Sequence, residues 1–129
     1  MNDFEAAISR MDFHFFAASG HKMDVDEFLQ RRDALLLDVR CREETAAVCF
    51  PFARLCPVLE IPLHEVPARI VEIPRDKFIG VFCSSGVRNV IIFAYLKSKG
   101  YEHVAALSGG YAALTEALVP GKLAKRICG

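Results

Sequence analysis

No stretch of this chain carries the roughly 20 consecutive apolar residues that a membrane-spanning helix needs, so no membrane span is expected. The N-terminus does not join a basic stretch to an apolar core, so a secretory leader is not expected either. A surplus of one charge is also missing. Lysine plus arginine number 16 and aspartate plus glutamate number 16, for a net charge of zero. That balance leaves no electrostatic footprint for nucleic acid. The five cysteines, Cys41, Cys49, Cys56, Cys83 and Cys128, are odd in number and match no zinc or CxxC spacing. They read as free thiols in a reducing compartment, which predicts a cytoplasmic protein. His14, His21, His64 and His103 are scattered without ligand spacing, so no metal site is expected. Repeats, low-complexity stretches and linkers are lacking as well.

What is present suits one soluble domain. The chain has 129 residues, of which 53% are hydrophobic and 25% charged, enough to bury a core without staples. Residues 1–22 form an extension in which Phe4, Ile8, Met11 and Phe15 are spaced as one face of a helix packed on the domain. Residues 23–129 form the domain itself. Asp24 reads as an N-cap with Glu27 at the third helical position. Residues 34–39, 58–61, 78–82 and 104–107 read as strands. The first and third of these are continuous apolar runs, as strands buried on both faces require. Residues 62–73 read as a turn and short helix with Pro67 in its first turn. Residues 87–99 predict a largely buried helix, apolar nearly all round, with Gly100 just past its end. A last helix is expected over 111–118, after a turn at Ser108-Gly109-Gly110. Helices alternating with strands that lack polar alternation indicate an α/β fold with a mostly parallel sheet.

The chemistry concentrates in Cys83-Ser84-Ser85-Gly86-Val87-Arg88, between a buried strand and a buried helix. Cys83 falls at the carboxyl end of a parallel strand, where α/β folds place ligands. It faces a helix N-terminus, whose partial positive charge favours a thiolate. Gly86 can take a positive φ, so that backbone N–H groups from Ser84 to Val87 can cradle an anion. Ser84 and Ser85 add hydroxyls, and Arg88 adds a fixed positive charge. Such a loop suits a nucleophilic sulfur that becomes a persulfide, with no metal or organic cofactor required.

The sequence here resembles the rhodanese family. Cys83 to Arg88 is similar to its active-site loop, Asp38-Val39-Arg40 to its DVR signature with Glu43-Glu44 following, and Leu107-Ser108-Gly109-Gly110-Tyr111 to its C-terminal L-x-G-G-aromatic turn. The three occur in the family's order. The resemblance implies a rhodanese-like α/β domain, a persulfide on Cys83, and Asp38 and Arg40 near the loop as pocket support. By chemistry alone, Asp38 at a strand end also reads as a helix cap. Two departures stand out. Residues 48–53 keep only the proline and alanine of the family's GHIPGA-like segment, and Leu114 stands where tryptophan is common.

The expected activity is transfer of a sulfane sulfur from thiosulfate or a persulfide to a thiol or cyanide. The partners would be a small sulfur donor or a persulfide-bearing protein, and a thiol acceptor. A non-catalytic or relay module, carrying sulfur or binding a protein partner, is the alternative. A cysteine-dependent phosphatase is disfavoured, because its loop places five residues between cysteine and arginine, whereas Ser84, Ser85, Gly86 and Val87 make four. Cys41 is a candidate resolving thiol if it approaches Cys83.

Overall fold

A computed structural model describes residues 1–50 and 52–128. Five strands, β1 (Lys22–Met23), β2 (Ala34–Asp38), β3 (Val58–Glu60), β4 (Phe78–Phe82) and β5 (Val104–Leu107), form one sheet in the order β1-β5-β4-β2-β3. Every pairing is parallel. The central pair β2 and β4 is in register from Ala34 opposite Phe78 to Asp38 opposite Phe82.

The continuous apolar runs resolve into two faces because side chains alternate along a strand. Leu37, Ile79 and Val81 point into one core with Ile92, Phe93 and Leu96. Leu36 and Phe82 point into the other with Phe28, Phe52 and Leu114. Gly80 leaves room for the Phe28 ring; a Cβ there would lie 2.5 Å from its Cε1.

Helices cover both faces: α1 (Asp3–Ser9), α2 (Phe13–Ala17), α3 (Val25–Leu29), α4 (Arg42–Ala47), α5 (Arg88–Ser98), α6 (Gly110–Glu116) and α7 (Pro120–Cys128). Short 3-10 turns at Leu63–Glu65 and Pro67–Glu72 replace the helix expected over 62–73, with Pro67 in the first turn of the second. Gly100, at φ +88°, follows the α5 C-cap as expected. Asp24 precedes α3 at the N-cap position, yet its side chain makes no cap bond; it accepts instead from Ser108 Oγ at 3.3 Å. The strand β1 and the helices α4 and α7 were not expected. They are short or strongly amphipathic, and β1 exists only because β5 offers an edge.

The N-terminal segment and helix α5 also depart from expectation. The N-terminal segment is two helices, because Asp12 accepts from Phe15 N–H at 3.0 Å and restarts the chain. That break shifts the helical phase. Met11 and Phe15 pack against the core, with Phe15 stacked on Phe93, while Phe4 and Ile8 stay about half exposed. Helix α5 is not buried all round. Asn89, Ile92, Phe93 and Leu96 make one buried stripe, whereas Val87, Val90 and Ile91 face solvent. A helix lying on a sheet buries one side whatever its composition.

Candidate active site

Cys83 leaves the end of β4 buried, at 1% exposure. Gly86 takes φ +95°, the conformation the loop was expected to need. Its N–H donates to Cys83 Sγ at 3.1 Å. The Cys83 thiol in turn donates to Asn89 Oδ1 at 3.3 Å. Ser84 Oγ accepts from Arg88 Nη2 at 2.9 Å, so its own proton stays available to a ligand. Ser85 and Val87 are exposed on the loop's outer side.

Arg88 does not stand as a free cation. Its guanidinium binds Glu44 of α4 in a two-pronged pair, Nη1 to Oε1 at 2.5 Å and Nη2 to Oε2 at 2.7 Å. The Arg88 bond, helped by the Cys41 backbone N–H, holds the Glu44 carboxyl down at about 2. The same pairing raises Arg88 above the usual arginine range. Cys41 joins this cluster. It caps α4, its N–H donates to Glu44 Oε1 at 3.0 Å, and its Sγ lies 3.9 Å from Arg88 Nη1.

Asp38 and Arg40 do not bond the loop directly. Asp38 accepts from Arg40 Nε at 3.0 Å and Nη2 at 2.7 Å, and both residues are buried. Arg40 Nη1 also donates to the Val48 carbonyl at 2.9 Å and to Tyr111 Oη at 3.1 Å. The guanidinium lies between 5 and 6 Å from the ring centres of Phe50, Phe82 and Tyr111. Burial works against its charge, but the bonds to Asp38 and Tyr111 outweigh this and hold it above the usual range. The pair reaches the site through Tyr111, whose backbone N–H donates to the Ser84 carbonyl at 3.3 Å. It therefore braces α6 and residues 48–50 around the loop. Pro51, the matching proline of the altered segment, lies outside the described residues.

Asn89 and Tyr111 were missed as functional candidates. Asn89 had a signal: it is the one polar residue on the α5 stripe with Ile92, Phe93 and Leu96. Of the remaining cysteines, Cys49 and Cys128 are exposed, and burial pushes the Cys56 thiol up to about 11. Among the described residues no group of three His, Cys, Asp or Glu side chains converges to hold a metal, and no helix is long and apolar enough to cross a membrane.

The sequence model of the family described as Rhodanese-like domain matches residues 23–117. A sulfurtransferase from Allochromatium vinosum is 36% identical over 94 residues, which cover 70% of this chain and 83% of that protein. A human single-domain sulfurtransferase superposes with a TM-score of 0.56 at 28% identity, over 74% of this chain and 95% of that one. The NAD-dependent persulfide reductase from A. fulgidus superposes with a TM-score of 0.57 at 36% identity, over 72% of this chain but only 15% of that one.

Proposed function

The chain belongs to the rhodanese-like domain family of sulfurtransferases, and on that premise we propose that it moves a sulfane sulfur through a persulfide on Cys83. The observation that carries this reading is the Cys83 sulfur at a strand end with the Gly86 N–H aimed at it. The Cys83 thiolate attacks the outer sulfur of a donor, and the donor's leaving group departs with the bonding electrons. The new terminal sulfur on Cys83 is anionic and suits the donors of the loop, Gly86 N–H and Ser84 Oγ–H. A thiol or cyanide then attacks that sulfur and frees the Cys83 thiolate. Both half-reactions run on reduced thiols, which suits the reducing cytoplasm.

The donor we favour is a thiol persulfide. Thiosulfate is a dianion and needs uncompensated positive charge, yet Glu44 already neutralises Arg88 and Asp38 neutralises the buried Arg40. A persulfide brings a single charge on the sulfur group that enters the loop. The likeness to a persulfide reductase points the same way.

The test is intact mass after incubation with thiosulfate or with glutathione persulfide, for the wild type and Cys83→Ser. One added sulfur, removable by cyanide and confined to the wild type, is expected. A wild type that gains no sulfur from either donor overturns catalysis with small donors. It leaves the relay reading, which the exposed apolar Val87, Val90 and Ile91 beside the loop favour as a contact for a donor protein.

A further inference from the structure

The buried stripe of α5 carries one polar side chain. Asn89 is 2% exposed, and a buried amide is stable only with partners for its hydrogens and its oxygen. Its Nδ2 donates to the Leu107 carbonyl of β5 at 2.9 Å and to the Val81 carbonyl of β4 at 3.4 Å. Those two partners can only accept, so they determine which way the amide faces; flipped, Oδ1 would meet two carbonyl oxygens. Oδ1 is thereby aimed at Cys83 Sγ, 3.3 Å away.

The sulfur thus sits between two backbone-anchored groups of opposite character. Gly86 N–H can only donate and Asn89 Oδ1 can only accept. A neutral thiol satisfies both. A thiolate keeps the first contact and turns the second into a lone pair facing a negative charge.

We infer that Asn89 is a positioning residue for Cys83, one that retains the proton on the resting sulfur and so opposes thiolate formation. The inference rests on the reading of Cys83 as the reacting sulfur. The remaining charged and titratable groups near the loop are largely committed to one another. Arg88 of α5 is paired with Glu44 of α4 and touches Cys41 at that helix's cap. Asp38 at the end of β2 and Arg40 just after it neutralise each other, and the Tyr111 hydroxyl oxygen of α6 accepts from Arg40. From β5, Leu107 presents only a carbonyl.

The test is the rate of Cys83 alkylation by iodoacetamide against pH, followed on the Cys83 peptide by mass spectrometry, in the wild type, Asn89→Ser and Asn89→Asp. Serine has no carbonyl oxygen to oppose the thiolate. On the acid side of the profile, Asn89→Ser is expected to react about three- to tenfold faster, the scale of one net hydrogen bond. Asn89→Asp replaces the amide with a carboxylate and is expected to react slower than wild type by a similar factor. A residue that merely fills space would not move the two profiles in opposite directions. Should Asn89→Asp fail to fold, with its carboxylate against the Val81 and Leu107 carbonyls, Asn89→Ser decides alone. An Asn89→Ser profile superimposed on the wild type's, in a protein that melts cooperatively, overturns the inference. Sulfur loading is a separate readout. Profiles that part while wild-type Cys83 takes up no sulfur would sink catalysis with small donors and leave Asn89's role standing. Loading with coincident profiles would do the reverse.

Discussion

Gly110 lies against the backbone of Ser84 so closely that a Cβ on it would overlap the Ser84 carbonyl oxygen and come within 3.1 Å of the carbonyl carbon. It also holds φ +55°, in the left-handed region. The second glycine of the Gly109-Gly110 turn is thus a spacing device. It lets the start of α6 approach the Cys83 loop and lets Tyr111 N–H reach the Ser84 carbonyl. Gly110→Ala is expected to lose on the order of 2 kcal/mol of stability, from the strained φ and the displaced loop. Urea denaturation measures the loss. Because the displaced backbone belongs to the loop, sulfur loading of Cys83 is expected to fall as well; a variant that is destabilised but loads at the wild-type rate would show the contact to be structural only.

Glu44→Gln releases Arg88 from its carboxylate while keeping an oxygen for the Cys41 N–H. Turnover of thiosulfate is expected to rise by roughly tenfold in kcat/KM, about what one charge-assisted bond gained in the transition state supplies. Turnover of glutathione persulfide should change less. Equal changes for both donors would contradict the charge argument for donor choice.

The Glu44 carboxyl also links stability to pH. Its folded value, about 2, lies below the ordinary 4.5, because the Arg88 bond favours the ionised form. The stabilisation is therefore complete above pH 4.5 and is lost as pH falls toward 2. Melting temperature against pH should drop across that window in the wild type and drop less in Glu44→Gln. Some slope should remain, since Arg42 and Arg69 hold Glu65 at about 2 as well.

Arg40→Met leaves Asp38 as a buried charge without its partner. A loss on the order of 3 kcal/mol is expected in urea denaturation. The double variant Asp38→Asn/Arg40→Met should recover part of that loss, because it removes the stranded charge. Arg40→Lys should not restore wild-type stability, since one ammonium cannot serve Asp38, the Val48 carbonyl and Tyr111 Oη together.

Strand–loop–helix order, the parallel sheet and the position of Cys83 were legible in the sequence because each depends on local pattern. Apolar runs of strand length marked β2 and β4, and a glycine three residues after Cys83 marked the turn that brings its N–H back to the sulfur. The phase of the N-terminal helices was not legible, because a single aspartate cap at Asp12 overrides an apolar spacing that looks continuous.

The sequence by itself determined the family, the fold class and the sulfur that stands at the strand end. Only the tertiary structure decided the charge state of the site. Arg88 is a bare cation when read along the chain; it is a neutralised one in space, because Glu44 arrives from a helix 44 residues away. Likewise Asn89 is a lone polar residue on an apolar helix, with no assigned partner, until β4 and β5 supply the two carbonyls that turn its oxygen toward Cys83. Local pattern specifies which groups exist and which element carries them. Their electrostatic and hydrogen-bonding partners are set by which elements the hydrophobic core packs together, and that information is spread over the whole chain.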